Sequence, residues 1–177
     1  MRLPFLEAKP IKIVILLTAF LPFLPALAPA GQFKVNRVYD GDTIRASGHD
    51  IEIVVRLVGI DAPEISHNKG EPSQPYSQKS KKYLAVLILN KTVQVKGYGM
   101  DRYHRILGVI FLDGKNINLE MIGAGLAEVY RGKAPHGLDM EPFQKAEILA
   151  EQAKKGIWSL GDKYVSPREW RKAQRQN

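Results

Sequence analysis

One stretch limits the fold of this chain more than any other: Ile51-Glu52-Ile53-Val54-Val55-Arg56-Leu57-Val58-Gly59-Ile60. Ile51, Ile53, Val55 and Leu57 fall at every second position, so an extended backbone lays them on one face. Glu52, Val54, Arg56 and Val58 fall on the other. The pattern predicts a largely buried strand from about Ile51 to Ile60. Arg56 interrupts it, and a guanidinium among apolar neighbours is costly unless it is paired. Glu52, on the same face, is one candidate partner.

The other elements follow from the same periodicities. Phe33 to Tyr39 alternates and ends at Asp40-Gly41, a turn dipeptide. Ile44 to Ala46 is a short strand, parted from the next by Ser47-Gly48-His49-Asp50. Thr92 to Tyr98 and Arg105 to Leu112 read as two further strands joined by a polar segment, and Asp113-Gly114 is again a turn. A proline-rich loop runs from Asp61 to Pro75. Helices are predicted from about Pro75 to Leu89, at Asn118 to Ile122, and from Met140 to Lys155, where Gly156 stops the last. Five strands, with a helix between the third and fourth and more helix at the C-terminal end, is the order of a five-stranded Greek-key barrel of the oligonucleotide-binding type. The class is α+β, mainly β, with about three helices.

Composition narrows the chemistry. The 177 residues suit one domain, and the absence of cysteine excludes disulfides, thiolate metal sites and a cysteine nucleophile. A 45% hydrophobic and 25% charged chain is not a disordered one. Lys and Arg number 26 against 18 Asp and Glu, for a net charge of +8. That excess points to a polyanion without choosing between nucleic acid and a membrane surface.

The first 30 residues read as an address. Arg2, Lys9 and Lys12 precede an apolar run, Ile13 to Leu27, broken by Pro22 and Pro25 and closed by Ala28-Pro29-Ala30. This predicts a signal peptide cut after Ala30, and hence export, secreted or periplasmic. The alternative is an uncleaved membrane anchor, since the run approaches the ~18 residues that span a bilayer. The barrel domain is then expected over 31–160 and a basic tail over 161–177. In that tail Lys163, Arg168, Arg171, Lys172 and Arg175 face only Asp162 and Glu169. It reads as a binder of nucleic acid or of an anionic surface, or as a solvated end.

Three charged constellations carry the functional reading: Asp40-Gly41-Asp42-Thr43, then Arg56 with Asp61-Ala62-Pro63-Glu64, then Asp101-Arg102-Tyr103-His104-Arg105. Each alone reads as a turn or a solvated loop. Together they suit the hydrolysis of a phosphodiester, which needs neutralised phosphoryl oxygens, an activated water and a stabilised transition state. Asp42 and Asp61 offer oxygen ligands to a hard divalent cation. Glu64 is placed to accept the proton of an attacking water. Arg56 and Arg105 suit a bidentate clamp on phosphoryl oxygens. The four histidines do not fall at ligand spacing, and His67-Asn68 reads as loop before it reads as a histidine-based nuclease.

At these residues the sequence resembles the staphylococcal nuclease-like (thermonuclease) family. The matching stretches are Val38 to Thr43, Arg56 to Glu64 and Asp101 to Arg105, followed by Gly125-Leu126-Ala127, the helix from Glu147 to Lys155 and Gly156-Ile157-Trp158. The resemblance spans about residues 33 to 159. It implies a calcium-dependent endonuclease acting on DNA and RNA with low sequence specificity. Under it, Asp42 and Asp61 match the calcium-ligating carboxylates. Ala62 matches a ligand through its backbone carbonyl, at a position where the family often has Thr. Glu64 matches the general base, and Arg56 and Arg105 the two phosphate-binding arginines. Tyr103 matches a nucleotide-contacting tyrosine, Arg102 replaces a phosphate-touching lysine, and Tyr130 stands for a base-stacking tyrosine. The loop from Ile65 to Gln78 departs from the best-known member. A monomer without an obligate protein partner is expected, with membrane contact only if residues 1–30 are retained. The alternative is a non-catalytic module that binds nucleic acid or protein on the same barrel. Such a module is expected to have lost Asp42, Arg56, Asp61, Glu64 or Arg105, and all five are present.

Overall fold

A computed structural model of the chain describes residues 31–66, 68 and 70–176. The expected leader, residues 1–30, and His67 lie outside the described residues. The chain opens with a three-stranded meander, β1 (Gly31–Val38), β2 (Thr43–Gly48) and β3 (Ile51–Leu57), followed by a short strand β4 (Ile60–Asp61) and helix α1 (Ser77–Ile88). Strands β5 (Thr92–Met100), β6 (Ile106–Leu112) and β7 (Lys115–Asn116) lead into α2 (Ile117–Gly123) and β8 (Glu128–Val129). The C-terminal part holds α3 (Glu141–Gln152), a 3₁₀ segment (Gly156–Lys163) and α4 (Pro167–Gln174).

Strands β3, β2, β1, β5 and β6 are neighbours in that order, and β3 closes onto β6 in parallel. The result is the closed five-stranded barrel expected from the element order, with no free edge along its staves. The inner face of β3 is the one that carries Ile53, Val55 and Leu57, which are buried together with Val35, Ile44 and Ile110 from the other staves, while Ile51 at the strand's start is exposed. Full burial of each such side chain contributes roughly 1.5–3 kcal/mol. Helices α1 and α2 cover the barrel, and Leu84, Ile88, Met121 and Ile122 are their buried residues. Asn118 fastens α2 to the staves: its amide donates to the carbonyls of Val58 and Gly108, and its carbonyl oxygen accepts from Ile110 N–H.

The strand predicted over 51–60 is broken at its end. Gly59 has φ +82°, and a Cβ there would come within 2.8 Å of the Phe143 ring. The backbone turns at this glycine, and Ile60–Asp61 leave the barrel to pair with Glu128–Val129. Asp61 is thereby carried to the barrel mouth. The 161–177 segment also has structure of its own. Ser166 accepts from Glu169 N–H while the Glu169 carboxylate accepts from Ser166 N–H, a reciprocal cap that starts α4 with Pro167 in its first turn.

Candidate functional site

Asp42 is brought inward by the way its loop packs. Gly41 lies so close to α1 and to β4 that a Cβ would fall 1.9 Å from Ser80 Oγ and 2.6 Å from Ala62 Cβ. The glycine of this turn dipeptide thus serves close approach; its φ is not positive. Asp42 is 2% exposed. Its Oδ2 accepts from Ala62 N–H at 2.9 Å, and its Oδ1 accepts from the Thr43 hydroxyl and from the Arg56 guanidinium.

Arg56 spans two carboxylates. One terminal nitrogen donates to Asp42 Oδ1 and the other to Asp61 Oδ1, at 2.8 Å. Glu52 is not its partner, because it pairs with Arg45 at 3.2 Å. Burial pushes the Asp42 carboxyl up to about 7, with the negative charges of Asp40 and Asp61 adding and Arg56 opposing. Burial disfavours the Arg56 cation, yet Asp42 and Asp61 outweigh that and hold it charged. Both facts express one thing: the site concentrates negative charge in a place poor in water.

Glu64 stands at the cleft side of the same loop. Its backbone N–H donates to Gln74 Oε1 at 2.9 Å, and Gln74 N–H donates back to Glu64 C=O at 2.9 Å. Burial raises the Glu64 carboxyl above its ordinary value, against the pull of Arg171. Arg105 stands just before β6, the stave that pairs with the Arg56 strand. The Asp101 carboxylate accepts from Tyr103 N–H, Arg105 N–H and Arg105 Nε, so the tight turn itself aims the guanidinium. Arg102 stacks on the exposed Tyr103 ring, 4.8 Å from its centroid.

A cleft of about 710 Å³ gathers Arg56, Glu64, Arg102, Tyr103, Arg105 and Tyr130 on its walls. Asp42, Asp61 and Ala62 lie buried behind it. The nine residues singled out in the sequence therefore meet in one place.

The site also contains residues that the sequence did not single out for it. Arg171 on α4 places one terminal nitrogen on Asp61 Oδ2 at 2.7 Å, and the other on Asp61 Oδ1 at 3.0 Å and on Glu64. The cap motif Ser166-Pro167-Arg168-Glu169 is the signal that could have revealed the helix carrying it. Glu128 is the cross-strand partner of Asp61 and is 3% exposed. It accepts from the Tyr164 hydroxyl, and its other oxygen has no partner among the described residues. Burial pushes Glu128 up to about 7.

The donors at the back of the cleft are oxygen alone, and one guanidinium spans Asp42 and Asp61, so their carboxylates converge. That chemistry fits a hard divalent cation. Among the described residues no three His, Cys, Asp or Glu side chains gather around one point. A cation here would draw on two carboxylates, a carbonyl and water, and would have to share or take Asp61 from Arg171.

A small closed barrel with buried carboxylates behind an arginine-lined cleft defines an oligonucleotide-binding-type barrel with a charged site at its mouth. Residues 54–160 match the staphylococcal nuclease homologue family, and the chain belongs to it. An uncharacterized endonuclease of Haemophilus influenzae is 34% identical over 168 residues, covering 92% of this chain and 88% of that protein. Probable endonuclease LCL3 of Komagataella phaffii is 40% identical over 126 residues, and that of Debaryomyces hansenii 37% over 136. These cover 68% and 73% of this chain, which spans only 54% and 57% of the two yeast proteins.

Proposed function

We propose that this protein is a calcium-dependent endonuclease that hydrolyses phosphodiester bonds of DNA and RNA with low sequence specificity. The observation that carries the reading is the fixation of Arg56 between Asp42 and Asp61, at the base of a cleft that also holds Glu64 and Arg105. Membership of the family and the endonuclease names of the relatives support it.

Asp42, Asp61 and the Ala62 carbonyl would hold the calcium ion, which supplies charge neutralisation at a phosphoryl oxygen. Glu64, raised above its ordinary value by burial, accepts a proton from the attacking water. Arg56 on β3 and Arg105 just before the neighbouring β6 both line the cleft and neutralise the charge that grows on the phosphodiester oxygens. Arg56 is held by the buried carboxylates, so it needs little reorganisation, and each such donor is worth roughly 10²–10³ in rate. Arg102, Tyr103 and Tyr130 form the exposed walls that meet sugar, base and flanking phosphate. Export through residues 1–30 completes the proposal.

The test is hydrolysis of single-stranded DNA and of RNA, with calcium and then with chelator, by the wild type and by Glu64→Gln. The expected result is loss of turnover in the variant and in chelator. Undiminished hydrolysis in either overturns the assigned mechanism.

A further inference from the structure

Helix α4 and its C-cap carry Arg168, Arg171, Lys172 and, at the cap, Arg175 at i, i+3, i+4 and i+7, which is one helical face. Like charges at these spacings repel one another, at a cost to the helix. The reciprocal cap offsets part of that cost, and packing offsets more. On the adjoining face Pro167 is buried, and Trp170 and Gln174 are half-buried. Just before the helix, Val165 C=O accepts from Gln74 Nε2 at 2.7 Å, and Gln74 is the residue that also holds Glu64. Arg171 sits where the two faces meet and reaches into the site. The stripe is therefore held in a fixed orientation against the site.

Among the described residues, Arg171 is the one member of the stripe in an ion pair. Arg168, Lys172 and Arg175 are exposed. A groove of about 480 Å³ is lined by all four cations of the stripe. A second, of about 380 Å³, is lined by Arg168, Arg171, Arg131 and Lys133, with Asp61 and Glu128 as its two carboxylates. It shares Tyr130, Lys133 and Arg171 with the main cleft. Positive charge thus continues from the cleft onto α4.

We propose that the stripe on α4 is a backbone-phosphate rail, which takes the nucleic-acid strand adjoining the phosphodiester held by Arg56 and Arg105. The inference rests on the proposed nuclease reading for its substrate. A membrane surface fits less well, because a membrane-bound helix needs a free apolar face. The apolar side of α4 is spent against the body of the protein.

The experiment measures binding of a fluorescein-labelled single-stranded DNA dodecamer by anisotropy, in chelator, over a series of salt concentrations. For Arg168→Gln/Lys172→Gln/Arg175→Gln, affinity is expected to fall about tenfold or more, and the salt slope to shrink by about 2, from three phosphate contacts at ~0.7 each. The single variant Arg175→Gln is expected to lose ~0.7 of slope, so the claim does not depend on the triple variant folding. Wild-type slope and affinity in variants that melt like the wild type overturn the rail. So does tight binding to phosphatidylglycerol vesicles with none to the dodecamer. Hydrolysis is scored separately. A lost slope without any wild-type hydrolysis keeps the rail and removes the nuclease. Wild-type hydrolysis with an unchanged slope does the reverse.

Discussion

Arg171 grips both carboxylate oxygens of Asp61, a residue 110 positions earlier in the chain, and adds a bond to Glu64. Together with Arg56 it gives Asp61 Oδ1 two donors and Oδ2 one. An internal cation thus occupies carboxylates that a divalent cation would also use. Arg171→Gln is expected to tighten calcium binding several-fold, since roughly 1 kcal/mol of partly exposed ion pair no longer has to be broken. Isothermal titration with calcium reads this directly; weaker or unchanged binding would show that Arg171 and the cation do not compete.

Arg56 is a different case, because its partners are buried. Arg56→Ala leaves Asp42 and Asp61 without their shared guanidinium and is expected to cost about 3–5 kcal/mol. Arg56→Lys keeps a charge but cannot span both carboxylates. It is expected to fold with a smaller loss in urea denaturation while turnover falls by roughly 10²–10³. Near-wild-type turnover in the lysine variant would remove Arg56 from the chemistry.

Glu128 makes stability depend on pH. Its folded value, about 7, lies above the ordinary 4.5, so between these the native state keeps a proton that the unfolded chain releases. Stability is expected to fall as pH rises through that window, by on the order of 1–3 kcal/mol. Glu128→Gln is expected to flatten the slope measured by denaturation at stepped pH. The part that remains belongs to Asp42 and Glu64, which burial raises as well. An identical slope in wild type and variant would contradict this account.

Gly59 links the barrel to the site. Gly59→Ala must adopt a left-handed conformation and press on Phe143, a combined cost of about 2–4 kcal/mol. Because the next residues are Ile60 and Asp61, turnover is expected to drop together with the melting temperature. Shrinking the ring with Phe143→Leu in the same chain is expected to recover part of both, and additivity of the two substitutions would argue against the contact.

Much of this arrangement is readable in the residues themselves. The alternation in β3 shows its inner face and shows Arg56 as a charge in need of a partner. It does not show which partner, because Asp42 and Asp61 reach Arg56 only after the Gly41 loop packs on Ser80 and the chain turns at Gly59. The pairing of Glu52 with Arg45 takes away the partner that sequence proximity offered. Helix α4 has a legible start in Ser166 to Glu169. Its docking is not legible, because that rests on Gln74 and Asp61, far away in the chain and close only in the fold.

That distance has a consequence in time. A ribosome adds about 5–20 residues per second. Asp61 and Glu64 therefore emerge some 5–20 s before Arg171 does, over the 110 residues between Asp61 and Arg171. Of the residues that close the barrel, Val55 to Leu57 are made before that interval opens and Ile106 to Gly108 well inside it. The nascent barrel can close while Asp61 holds only Arg56, and a soluble cation has access to Asp61 and Glu64 until Arg171 is made.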